Sequence, residues 1–61
     1  MQFKINDTEA LNVTRSKQGQ IVHLQHLQEG KWVNVHTKIF ALDWNGNMVQ
    51  EMQELYKSSQ S

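Results

Sequence analysis

The stretch 20–40, QIVHLQHLQEGKWVNVHTKIF, decides how the chain folds. Two apolar–polar runs meet at Glu29-Gly30, and such runs on either side of a two-residue turn read as a β-hairpin. That turn sets Gln28 opposite Lys31, and the pairs Leu24–Val35, His26–Val33 and Val22–Thr37 follow. Directly opposed residues share one face of a sheet, so Val22, Leu24, Val33 and Val35 form an apolar patch. The other face carries His23 opposite His36, Gln25 opposite Asn34 and Leu27 opposite Trp32. Slipping the register by one residue sets Leu24 beside Asn34 and mixes the faces, which a half-buried sheet does not tolerate.

The same test works upstream. A turn at Gln18-Gly19 pairs the run from Leu11 to Ser16 with the hairpin. Val13 then faces Leu24, Leu11 faces His26 and Arg15 faces Val22. Two separate turns thus give one consistent pair of faces, and agreement between levels is what a foldable sequence shows. The expected strands are 10–16, 20–28 and 31–40. Met1 to Ile5 alternates, with Phe3 and Ile5 on one side. It is a candidate fourth strand at an edge, with Asn6-Asp7 opening a turn.

Residues 41–47, ALDWNGN, hold the strongest turn dipeptide, Asn45-Gly46. As a type I′ hairpin it pairs Leu42 with Val49 and extends the sheet. As a loop it delivers Asn47 as the N-cap of a helix over 48–57, MVQEMQELYK. Gln, Glu, Met and Leu form helices better than strands, and this favours the helix. Met48, Met52, Leu55 and Tyr56 fall near one helical face, with Glu51 and Glu54 turned away. The polar tail 58–61 reads as frayed. Docking Met48, Met52 and Leu55 on Val13, Val22, Leu24, Val33, Val35 and Ile39 covers both apolar surfaces. The expected fold class is α+β, one domain over 1–61. It is a small antiparallel three-stranded β-meander, with the candidate N-terminal strand, packed by one C-terminal α-helix.

A chain of 61 residues lies near the lower limit for folding alone, and without Cys it has no disulfide staple. A second copy or a larger partner is the usual remaining route to more burial. Six basic and six acidic residues cancel, so no global field draws the chain to nucleic acid or an anionic membrane. No apolar run approaches a transmembrane length, and MQFKINDTEA lacks the apolar core of a signal peptide. A cytoplasmic protein away from membranes is the expectation. Eight Gln and five Asn give an amide-rich surface, spread through patterned strands and not gathered in a low-complexity tract.

No chemical motif assembles. His23 and His36, as cross-strand neighbours, supply two ligands where a metal site uses three or four. Asp43, Asn45 and Asn47 with Glu54 match part of a calcium loop, but Met48 stands where that loop requires Gly. Ser16 and Thr14 approach His23 without a carboxylate to orient it or an oxyanion donor. No cofactor and no enzymatic activity are expected.

Trp32 lies outward on the polar face, and Trp is enriched where proteins meet. The candidate binding residues are Trp32 with Asn34, His36, His23 and Gln25, and Trp44 beside an exposed turn. They point to a non-enzymatic protein-interaction module with a protein partner, or a homodimer through the open face or an edge strand. This profile resembles accessory proteins of bacteriophages or mobile elements that bind and inhibit a host protein. The second reading is nucleic-acid binding. Three strands backed by a C-terminal helix resemble, in topology, the arm-site domains of tyrosine recombinases and the plant ethylene-response DNA-binding domain. That resemblance implies major-groove reading by Asn12, Asn34, Gln25, Arg15 and Lys38. Phosphate contacts would fall to Arg15, Lys17, Lys31 and Lys38, which are scattered over strands and turns.

Overall fold

The structure, a computed structural model, describes residues 1–60. Four strands and one helix follow in chain order: β1 (Gln2–Lys4), β2 (Glu9–Ser16), β3 (Gly19–Gln28), β4 (Lys31–Phe40) and α1 (Met48–Gln60). The strands form one antiparallel sheet in the order β1-β2-β3-β4, a meander in which each strand pairs with its neighbour in sequence. The fold is α+β, and Met1 to Ile5 supplies the fourth strand. No helix among the described residues is long and apolar enough to cross a membrane.

The β3–β4 turn falls at Glu29-Gly30. Both residues have positive φ, 52° and 80°, as a type I′ turn requires. From Gln28↔Lys31 to Gln25↔Asn34 the pairing is the one the sequence implies. A β-bulge then shifts the register, so that Leu24 pairs with His36, His23 with Thr37, Val22 with Lys38 and Ile21 with Ile39. One extra residue on β4 reverses which side chains of its second half face the helix. Ile39, expected in the core, is instead 56% exposed, and Phe40 is buried. A phenylalanine ring covers more apolar area than isoleucine. Trp44 packs on it with ring centroids 4.6 Å apart.

The β2–β3 turn lies one residue earlier than its sequence suggests. Ser16 pairs with Gly19, so Lys17-Gln18 form the turn, and Leu11 pairs with Leu24 and Val13 with Val22. The Ser16 hydroxyl accepts from the Gln18 amide at 3.2 Å and donates to the Gly19 carbonyl at 3.2 Å. This register differs from the expected one by two residues. Strands have a side-chain period of two, so the faces survive the shift. β1 is tied on by Asn6, whose side-chain oxygen accepts from the Thr8 and Glu9 amides at 2.9 Å. An Asn that caps its own turn in this way returns the chain without glycine.

The core lies between sheet and helix. Leu11, Val22, Leu24, Phe40 and Met52 are buried, with Val13, Val35, Met48, Leu55 and Tyr56 packed around them. Val33, expected to join them, lies beyond this cluster near the β3–β4 turn and is 38% exposed. The Asn45-Gly46 segment is a loop, and the helix begins as that reading requires. The Asn47 side chain accepts from the Gln50 amide at 3.0 Å and its carbonyl accepts from Glu51. Asn47→Ala is expected to destabilise the fold by about 1 kcal/mol, read as a lower urea midpoint with an unchanged slope. The helix continues through Gln60, past the stretch read as helical. Of the tail expected to fray, Ser58 to Gln60 are therefore helical and exposed, and Ser61 lies outside the described residues.

Candidate binding surface

The helix covers one side of the sheet, which leaves the other open. Register assigns the open side: Gln2 and Lys4 from β1, Ala10, Asn12 and Thr14 from β2, and Ile21, His23, Gln25 and Leu27 from β3. From β4 come Trp32, Asn34, Thr37 and Ile39. At one end Leu27 pairs with Trp32, which is half-buried, and at the other Ile21 pairs with the exposed Ile39.

Between these ends the amides are wired together. Gln2 Nε2 donates to Gln25 Oε1 at 3.0 Å, and Gln25 Nε2 donates to Asn34 Oδ1 at 2.9 Å. Ala10 separates these strands with a single methyl, which lets Gln2 and Gln25 meet above β2. Gln25 is only 8% exposed, yet its side chain both donates and accepts, so its burial leaves no orphaned amide. The next row holds His23, whose Nδ1 lies 2.8 Å from Thr37 Oγ1. Ordering these side chains in advance lowers the entropic cost of presenting them to a partner.

Four of the six expected site residues share this face: Trp32, Asn34, His23 and Gln25. The bulge removes His36, which pairs with Leu24 on the helix side, so the expected His23–His36 pairing does not occur. Trp44 does not project from its turn. It is half-buried, rests on Phe40 and joins the core. Gly46 makes room for it, since a Cβ there would lie 2.6 Å from the indole ring. In exchange, the face gains Ile39, which pairs there with Ile21, a residue that alternation along β3 already turns outward. Alternation alone could not place Ile39 there, because the sequence carries no mark of the bulge.

The helix side holds a concavity of about 550 Å³ between α1 and the β2–β3 pair. His26 lies there, its ring edge-on to Tyr56 at 5.1 Å. Its Nε2 is 3.3 Å from Glu9 Oε2, close enough for an ion pair, but it is buried and not aligned for a hydrogen bond. Glu9 reaches His26 because of the two-residue shift in the β2–β3 register, which the sequence reading lacks. Among the described residues no group of three His, Cys, Asp or Glu side chains could hold a metal ion.

The charges are also informative. Lys38, expected as an outward DNA-reading residue, lies on the helix side, 3.5 Å from Glu51 and 5.0 Å from the Phe40 ring centroid. Arg15 pairs with Gln20 on that same side. Register leaves Lys4 as the one cationic side chain of the open face among the described residues, beside the Met1 ammonium at 3.5 Å from Asn12 Oδ1, and it brings no carboxylate there. No protein-family model matches the chain, and no curated protein or solved structure matches it significantly.

Proposed function

We propose that this chain is a small non-enzymatic protein-binding module of the cytoplasm that engages its partner through the open sheet face. One observation carries the reading: a sheet covered on one side only, whose other side presents Trp32, Leu27, Ile21 and Ile39 around an ordered amide row. Apolar groups at the ends supply burial, and the fixed amides supply direction. Interfaces commonly combine aromatic anchors with a few placed hydrogen bonds. Nucleic acid is the weaker fit, because sequence-independent affinity for phosphates needs several cations on the contacting face. Lys4 and the Met1 ammonium at one edge do not meet that need.

The test is affinity capture from a lysate with wild type and Trp32→Ala in parallel. Trp32 lies outside the core cluster, so thermal unfolding of the variant should shift little. An anchoring Trp loses about 2 kcal/mol or more on truncation, a fall of at least roughly thirtyfold in affinity. The partner should disappear from the Trp32→Ala capture. A partner retained at equal yield removes the open face from the binding role.

A further inference from the structure

We infer that the partner on the open face is a second copy of this chain, packed face to face about a two-fold axis. This rests on the binding reading above and specifies its occupant.

The pattern along the face is symmetric. Read along β3 it runs Ile21, His23, Gln25, Leu27, and along β4 Ile39, Thr37, Asn34, Trp32, apolar at both ends and polar between. A two-fold axis parallel to the strands lays the Ile21–Ile39 end on its own image. An axis across the strands lays it on the Leu27–Trp32 end of the other copy. Under either operation apolar bands meet apolar bands and amides meet amides, the self-complementarity an isologous contact demands. Asn and Gln side chains both donate and accept, so the central band can bond to its own copy. A strongly charged partner would find little to answer it, whereas an identical face, its cations confined to the β1 edge, meets no repulsion at its centre.

The sheet edges offer little to compete with this face. β1 has three residues, too few to template a strand. β4 is interrupted mid-strand by its bulge and carries Lys31 and Lys38, features that discourage edge pairing. The area suits a modest dimer. Four strands about 4.8 Å apart, the longest of 10 residues at about 3.3 Å each, give the sheet face on the order of 500 Å² in projection. That is below the roughly 800 Å² per partner of ordinary specific interfaces and in the range of weaker, reversible ones.

The experiment is sedimentation equilibrium of the full chain at about 100 micromolar, well above the dissociation constant typical of such an interface. Wild type should sediment at twice the chain mass. Ile39→Lys and Thr14→Lys, both on the open face, should sediment as monomers. Val33→Lys, exposed on the same strand but facing the helix side, should stay dimeric. Far-UV circular dichroism of each variant separates dissociation from unfolding, and the wild-type mass by itself requires no variant. A monomeric wild type overturns the inference, as does a dimer indifferent to both open-face lysines. If wild type is monomeric but capture still depends on Trp32, the second copy is excluded and the binding module stands. If capture is also indifferent to Trp32, both fall.

Discussion

Leu24→Ala is expected to destabilise the fold by about 3–5 kcal/mol, the range for truncating a buried leucine that leaves a cavity. Leu24 lies on β3, which has a neighbouring strand on each side, and it is fully buried. Its register partners are Leu11 on β2 and His36 on β4, and Val22, Phe40 and Met52 share its cluster. Strands pinned by a hydrogen-bonded ladder cannot close in on the vacated volume. Domains have on the order of 0.05–0.15 kcal/mol of stability per residue, so a chain of this length has roughly 3–9 kcal/mol in all. The loss is therefore a large fraction of the whole, and the urea midpoint should fall by about half or more. Val33→Ala serves as the control, with an expected loss under about 1 kcal/mol, because Val33 is 38% exposed and outside the cluster. Urea titration followed by circular dichroism, at one protein concentration for all variants, provides the comparison. Equal losses at the two positions would mean that Leu24 is not the centre of the core.

Val13, Val22 and Leu24 show what alternation can and cannot decide. Val22, Leu24 and Val13 point to the helix in both the expected and the observed arrangement, because an error of two residues in the first hairpin leaves side-chain parity intact. The second hairpin is less forgiving. Its turn is where Glu29-Gly30 implies, and pairing is as expected as far as Asn34. The bulge at Val35 then changes the parity of everything after it. β4 reads Val33, Val35, Thr37, Ile39 on one alternation and His36, Lys38, Phe40 on the other, and no Gly marks the break. What selects the second set is tertiary: Phe40 finds Trp44 and the helix, which no window within the strand reveals.

The candidate surface inherits this division. Trp32, Asn34, Gln25 and His23 lie before the bulge on β4 or on β3, and their placement was legible. His36 lies after it and changes sides. Trp44 was misplaced for a different reason: Asn45-Gly46 signals a turn, and turns are usually exposed. Here Gly46 removes the one side chain that would collide with the indole, so the turn folds over its own Trp. The helix was readable because Asn47, the Met48–Met52 spacing and the composition of 48–57 agree. Local signals that need no distant partner were reliable, and those decided by a distant ring were not.

Gly19→Ala should have the other large effect, a loss of about 2–4 kcal/mol from backbone strain together with steric collision. Gly19 has φ +149°, far from the left-handed island that L residues occasionally visit. A Cβ built there would lie 2.5 Å from the Phe40 carbonyl oxygen and 3.0 Å from an Ile39 methyl. The carbonyl is backbone, and it belongs to the end of β4 that the bulge has brought opposite Gln20. Relief therefore requires the last β3–β4 pairs to part, which would lift Phe40 out of the core. The other glycines provide the contrast. Gly30 has φ +80° and nothing within 4 Å of a built Cβ, so Gly30→Ala should cost only about 1 kcal/mol, from conformation alone. At Gly46 the nearest atoms belong to a side chain, the Trp44 ring, and Gly46→Ala should displace that ring, changing its fluorescence more than the sheet. Urea midpoints should rank Gly19→Ala well below Gly30→Ala. Hydrogen exchange on Gly19→Ala should show its largest loss of protection at Gln20 and Phe40. If Gly19→Ala were as stable as Gly30→Ala, β4 would not approach β3 this closely, and with it would go the register that faces Ile39 outward and Phe40 inward.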